Sequence, residues 1–441
     1  MTTQNTFSGF QPVELLQRLI QFDTTNPPGN ERACIEFIQG LLAGAGIAAT
    51  ILARTPQRPN LIARLPGRGM APPLLLYGHV DVVTTVNQHW RHPPFAGDIA
   101  DGYIWGRGAL DMKGCVAMML LAFLRAKTEG LDLPGDVLLA VVCDEEDGGE
   151  FGAKYLVKNH AGHFKDVRYA LGEFGGFSIR IAGKCFYPIQ VAEKQGCWMR
   201  ATLRGPGGHG SMPVRGGAMA KVSHMLNSLD RRMLPVHVTP PVRLMFRHIA
   251  AALGGASGVI LHQITNPLLA DSVLKLLGSR GRLFSPLVHN TVSPTMLTAS
   301  EKINVIPSQV SVGLDGRLVP GFTPEDFITE LRRLIGEQVE LEVLQYDPCP
   351  LQPDMGLFDT LAGILKEADP QGTPVPYMLS AVTDARFFSQ LGIQTYGFTP
   401  MQLPQDFNFT EAAHAADERI PVDAVRFGSD AIFKTFQRFG G

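Results

Sequence analysis

Cysteine is scarce and badly placed for a bridged scaffold. The six residues Cys34, Cys115, Cys143, Cys185, Cys197 and Cys349 form no CxxC pair and no short-spaced framework, which excludes a thiolate zinc ribbon and a small disulfide-stapled domain. They read as reduced thiols, mostly small apolar core residues, and this favours the cytoplasm. An excess of charge of either sign is also missing, because 39 Lys+Arg stand against 41 Asp+Glu, a formal net charge of -2. Without basic runs, neither nucleic acid nor a membrane surface is expected as the main partner. The longest apolar run, Cys115 to Leu124, is too short to cross a bilayer, and Met1 to Phe10 lack the basic start and apolar stretch of a signal peptide. No GxSxG elbow occurs and no cysteine lies in a recognisable nucleophile context, which sets aside serine and cysteine hydrolases. What is present, 441 residues with 45% hydrophobic, 18% charged, 47 Gly and 32 Pro, suits a globular, loop-rich enzyme of two or three domains.

The periodicity divides the chain. Helices are expected over Pro12 to Phe22 and, after the turn Thr24-Thr25-Asn26-Pro27-Pro28-Gly29, over Glu31 to Ala45. Leu74 to Tyr77, Val137 to Val142 and Val167 to Leu171 are largely continuous apolar runs separated by long helical stretches. Strands covered on both faces of a parallel sheet have that character, so the class is α/β. Beyond about residue 195 the pattern changes to a half-exposed antiparallel strand (Trp198 to Arg204), an amphipathic helix (Gly217 to Met233), a strand pair around Lys302 to Leu318, a helix (Pro324 to Gly336) and a strand (Val339 to Tyr346). With the apolar, Gly-containing stretch 236–293 set aside, the order is βαββαβ, a ferredoxin-like unit. It reads as an insertion, because α/β character returns at Met355 to Ala368, Gln394 to Phe398 and Val422 to Arg438. The expected domains are therefore 1–195 and 349–441 together, with 196–348 between them.

In an open parallel sheet, ligands bind beyond the carboxyl ends of the strands. All three apolar runs end in metal-ligand types: Gly78-His79-Val80-Asp81, then Cys143-Asp144-Glu145-Glu146, then Gly172-Glu173. Asp111 precedes the apolar helix from Cys115, and His414 follows the strand ending near Phe398. His79 and Asp81 are two apart, so in strand geometry both project to one side and Asp81 can accept the ring N–H of His79, leaving the other nitrogen for a metal. Carboxylates converging without cations would raise one another's pKa, whereas two divalent metals turn the repulsion into coordination. Adjacent strand-end glutamates point apart, so one ligand and one base is the economical division between Glu145 and Glu146.

These segments, GHVD, WGRGALDMKG, CDEEDGG, GE and a late histidine, resemble the cocatalytic-zinc metallohydrolases that include aminoacylase, acetylornithine deacetylase, succinyl-diaminopimelate desuccinylase, the glutamate-releasing carboxypeptidases and carboxypeptidase S. The resemblance covers most of the chain in order. It implies a zinc-exopeptidase-like α/β/α sandwich with an inserted ferredoxin-like lid and dimerisation domain. It further implies that His79, Asp111 and Glu173 hold one divalent metal while Asp111, Glu146 and His414 hold a second. The ions would be zinc, with cobalt or manganese as alternatives. Glu145 would be the general base, Asp81 the partner of His79, and a metal-bridging hydroxide the nucleophile. The segment Gly205 to Ser211 is similar to the family loop whose histidine, here His209, reaches across a homodimer to stabilise an oxyanion. Asn304 and Arg317 match lid positions that hold a substrate carboxylate. The enlarged stretch 236–293 and the motif Leu171 to Gly176 resemble the carboxypeptidase S branch. Ser380 to Arg386 resembles a family TDAR segment without its usual preceding glycines, and Asp384 and Arg386 stay outside the catalytic set.

The implied activity is cleavage of a peptide or N-acyl amino acid beside a free carboxylate, with a biosynthetic deacylase of the acetylornithine or succinyl-diaminopimelate type as the alternative. A member of the fold that binds without turnover would be expected to have lost the base or a ligand, and here every one is present. A dinucleotide reading rests on Gly205-x-Gly207-x-x-Gly210 with Asp230 beyond it. The preceding strand is amphipathic, however, and Pro213 falls where a phosphate-binding helix should be running.

Overall fold

A computed structural model describes residues 11–440, so Met1 to Phe10, where no signal peptide is expected, lie outside the described residues. The chain divides into two compact units. One comprises the chain up to Val191 together with Asp354–Tyr377 and everything from Thr383 onward; the other comprises Ala192–Pro353 and Met378–Val382.

The first unit is built on a nine-stranded mixed sheet. Its order is Ala49–Ala53, Pro59–Leu65, Val137–Val142, Leu74–His79, Tyr169–Gly172, Gln394–Gly397, Lys184–Glu193 and Thr373–Leu379, with Ile179–Ile181 paired to Lys184–Glu193. Leu74–His79 runs parallel to both Val137–Val142 and Tyr169–Gly172, as the continuous apolar runs require. Leu74 and Leu76 pack into the larger core and Leu75 and Tyr77 into the core on the opposite face, so no position of that strand is left for a polar residue before its end. The helix Lys113–Thr128 packs on the closing helix Val422–Arg438 over the larger core. Close packing reaches the strand ends: a Cβ at Gly172 would lie 2.3 Å from the Tyr77 ring. The antiparallel strands Ala49–Ala53 and Pro59–Leu65 are additions that the apolar-run pattern does not reveal.

The second unit holds a four-stranded antiparallel sheet in the order Thr291–Thr298, Gln309–Leu318, Gln195–Arg204, Glu340–Asp347. The helices Ala218–Arg231 and Pro324–Ile335 supply Val222, Met225, Phe327 and Leu331 to its core. This is the expected βαββαβ connectivity. One strand is displaced from its expected place. The partner of Gln309–Leu318 is Thr291–Thr298, not a segment beginning near Lys302, because an edge strand tolerates Pro294 at a bulge between Pro294 and Met296. The stretch 236–293 is helical over Pro240–Leu253, Gly255–His262, Ala270–Leu276 and Ser279–Phe284.

Candidate metal centre

Neighbouring parallel strands bring their ends together. His79 closes Leu74–His79 in register with Val142, Asp144 to Glu146 follow that second strand, and Glu173 follows Tyr169–Gly172. Asp111 comes from the loop before Lys113–Thr128, and His414 from the loop after Phe409–Ala412. His414 takes a φ of 63°, a left-handed conformation that a non-glycine residue keeps only when its surroundings enforce it. Gln88 Nε2 and Arg107 Nη2 both donate to its carbonyl at 3.0 Å.

Asp111 stands between the two imidazoles, with Oδ1 3.1 Å from His79 Nε2 and Oδ2 3.1 Å from His414 Nε2. Glu173 Oε2 is 3.4 Å from His79 Nε2, and Glu146 Oε1 is 3.2 Å from His414 Nε2. Ligand atoms of His79, Asp111 and Glu146 lie within 4.8 Å of one another, and so do those of His79, Glu145 and Glu173. All five expected ligands therefore converge, and Glu145 converges with them. Glu145 and Glu146 join different groups, but not by strand alternation, since they sit in the 3-10 turn Glu145–Asp147.

Asp81 departs from its expected contact. His79 Nδ1–H donates to the Asp81 backbone carbonyl at 3.0 Å, while the carboxylate is 3.6 Å away. Three other donors draw that carboxylate off: Asn26 Nδ2 at 2.9 Å and the backbone N–H groups of Glu145 and Glu146, each at 3.1 Å. Asp81 therefore orients the Glu145-Glu146 turn as well as the ring.

The electrostatics follow from burial and from the imidazoles. Burial pushes the Glu145 carboxyl well above its usual range, and Glu173 adds to the effect. Burial also raises Glu146 to about 7 against the pull of His414. For Asp111, burial opposes ionisation, but hydrogen bonds from His414 and His79 prevail and hold it well below the usual carboxylate range. Burial likewise opposes charge on His79, yet Asp111, Asp81 and Glu173 raise it well above its usual value. Hydrogen bonds to Asp111 and Glu146 raise His414 to about 10. Among the described residues, the ion pairs of this cluster are all carboxylate to imidazole. Glu173 Oε1 is buried with no hydrogen-bond partner. An oxygen and nitrogen donor set with an orphaned carboxylate oxygen fits divalent metal.

The remaining candidates belong to the second unit. His209 is exposed, pairs with Val305 in a two-residue ladder and places Nδ1 2.7 Å from Ser211 Oγ. Gly210 N donates to the carbonyl of Asn304 at 2.8 Å. Arg317 is held by Asp315 through Nε at 2.8 Å and Nη2 at 3.0 Å. The glycines of the would-be dinucleotide loop serve this ladder and close packing: a Cβ at Gly205 would meet Ala218 N at 2.5 Å, and the next helix begins only at Ala218.

Several buried residues at the centre carry no role in the sequence reading. Asn26, in the Thr24 to Gly29 turn, bridges Asp81 and, at 3.2 Å, Asp144. Arg58 pairs with Glu31 and with Asp144 Oδ1, both at 2.8 Å. Glu418 accepts the N–H groups of Leu110 at 2.8 Å and Asp111 at 3.1 Å and pairs with Arg107. Asp384 is buried, and burial lifts its carboxyl to about 8 against Arg386. Asn26 lies in the Thr24 to Gly29 turn and Arg107 in the WGRGALDMKG segment, whereas Glu418 has no local signal at all.

Residues 75–438 match the model of peptidase family M20/M25/M40. The chain is 28% identical over 368 residues to the probable carboxypeptidase S-like 2 of Dictyostelium discoideum, covering 79% of this chain and 68% of that protein. It is 27% identical over 419 residues to aminoacylase-1 of Sus scrofa, covering 92% and 90%. The M20 family metallo-carboxypeptidase Sso-CP2 from Sulfolobus solfataricus shares the fold with a TM-score of 0.72 at 16% identity, over 98% of this chain and 99% of that one.

Proposed function

The chain belongs to peptidase family M20/M25/M40, and on that premise we propose that this amide-bond hydrolase cleaves a peptide or N-acyl amino acid beside a free carboxylate with the aid of two divalent metals. His79, Asp111 and Glu173 would hold one ion, and Asp111, Glu146 and His414 the other. When bound, such ions polarise a carbonyl and lower the pKa of water. The observation that carries this reading is the Asp111 carboxylate, shared at 3.1 Å between His79 and His414.

Glu145 is the proton carrier. Burial and the charge of Glu173 disfavour its ionised form, so its carboxylate takes a proton from water readily and returns it to the leaving amine. Asp81 holds Glu145 in place through its backbone N–H. In the second unit, Asn304 and Arg317 are assigned to the substrate carboxylate, with Asp315 holding the guanidinium plane. His209 is assigned to the developing oxyanion of a partner subunit, which makes the working form a homodimer. The cytoplasm is the assigned compartment, on the strength of scattered unpaired thiols. The carboxypeptidase and aminoacylase names of the relatives support the substrate class.

Glu145→Ala tests the assignment. It should keep metal content and melting temperature while lowering kcat by about 100-fold or more on N-acyl amino acids and dipeptides. Near-normal turnover in that variant would remove Glu145 as the base.

A further inference from the structure

The helical stretch 236–293 differs in charge from the chain that carries it. It contains Arg243, Arg247, Lys275, Arg280 and Arg282 against the single acid Asp271, so the near-neutral total hides a segment of five positive charges and one negative. Asp271 is turned to His289, 3.2 Å away. Arg243, Arg247, Lys275 and Arg282 are exposed, and among the described residues none of them makes an ion pair.

The same stretch exposes apolar side chains. Leu268 is 90% exposed, Leu283 74%, Leu276 72% and Val259 64%. They are not a failed core, because Val242, Met245, Phe246 and Ile249 already bury the inward face of Pro240–Leu253, and Ala270, Val273 and Leu274 that of Ala270–Leu276. The helices pack in pairs, Pro240–Leu253 on Gly255–His262 and Ala270–Leu276 on Ser279–Phe284, so the stretch carries both its exposed apolar side chains and its cations on packed helices. Between the first two helices a concavity of about 420 Å³ carries Arg247 and His262 on its wall beside Gly254 and Gly258.

We propose that this stretch is a peripheral docking surface for an anionic phospholipid bilayer. The exposed leucines enter the acyl boundary while unpaired arginine and lysine side chains meet lipid phosphates, the division of labour that interfacial helices use. No helix among the described residues is long and apolar enough to cross a membrane, so the attachment is to the surface. The whole-chain charge argued against such a partner because the surplus is confined to this segment.

Flotation of the full-length protein with vesicles of phosphatidylcholine, alone or with about one third phosphatidylglycerol, tests this directly. The protein should float only with the anionic vesicles, and less at high salt. Replacing Arg243, Arg247, Lys275 and Arg282 by Gln should weaken partitioning by about 100-fold or more. Leu268→Ser with Leu276→Ser and Leu283→Ser should weaken it by about tenfold or more, with turnover of a soluble substrate retained. If that triple variant misfolds, Leu268→Ser alone serves, since its side chain is almost wholly exposed. The proposal is overturned if the wild type does not float, if neutral vesicles bind equally, or if neither variant changes binding. It is overturned too if the leucine variants instead convert a sedimenting dimer to a monomer, which would make the face a contact between copies.

Discussion

Replacing Glu418 by Gln should expose how the Asp111 loop is held. Both Glu418 and Arg107 have fully buried side chains, and their contact is 2.5 Å. Burial pushes the Glu418 carboxyl up while Arg107 pulls it down, and contact with a permanently charged guanidinium keeps the pair ionic. The introduced amide would keep an oxygen for the N–H groups of Leu110 and Asp111 but leave Arg107 as an uncompensated buried charge, a loss of about 3–5 kcal/mol. At about 2 °C per kcal/mol for a domain of this size, the melting temperature should fall by about 6–10 °C. Adding Arg107→Met removes the stranded charge, so the double variant should recover most of that loss. Thermal unfolding of chelator-treated proteins, followed by circular dichroism, measures both. A fall of under about 2 °C for Glu418→Gln, or a double variant no more stable than the single, would refute the reasoning.

Asn26→Ala removes the amide that bridges Asp81 and Asp144 and should weaken metal retention about tenfold in a chelator competition; unchanged retention would show that the bridge does not orient the site. Lys194, buried against the His289 carbonyl and Thr291 Oγ1, has its amine lowered to about 7 by burial and by Arg317, against Asp315. The unfolded chain binds that proton up to about pH 10.4 and the folded one only to about 7, so stability attributable to this site is present at high pH and lost as pH falls toward 7. Relative to the wild type, Lys194→Met should therefore gain stability progressively from about pH 9.5 to about pH 7, by up to about 1.4 kcal/mol per unit, in denaturant titrations; parallel curves would contradict this. His209→Ala should remain folded and dimeric by sedimentation yet lose about 100-fold in kcat, and unchanged kinetics would remove the cross-subunit role.

The legible parts of this molecule are those with short-range signatures. Leu74 to Tyr77 and Val137 to Val142 stand out because both faces of each strand are buried, and the residues just beyond them are then conspicuous as acids and histidines. The same logic fails elsewhere: Ala49–Ala53 has no fully buried position, and Pro59–Leu65, buried at all but Arg64, has its apolar run broken by Asn60 and Arg64. Thr291–Thr298 is an almost wholly exposed edge strand containing proline, so its periodicity says little. Side-chain pairs joined across the chain leave no local trace. Arg107 and Glu418 are 311 residues apart, and Asp81 gave up the expected ring contact to donors on Asn26 and on the Glu145-Glu146 turn, which spacing alone could not reveal.

The central claim is that Asp111 is shared by two cations gathered by His79, Glu173, Glu146 and His414. Elemental analysis of protein purified without chelator, alongside His414→Ala and His79→Ala, tests it most directly. The account predicts two metal equivalents per chain in the wild type and a loss of about one in each variant, whereas a wild-type protein that takes up no divalent metal even after add-back would contradict it.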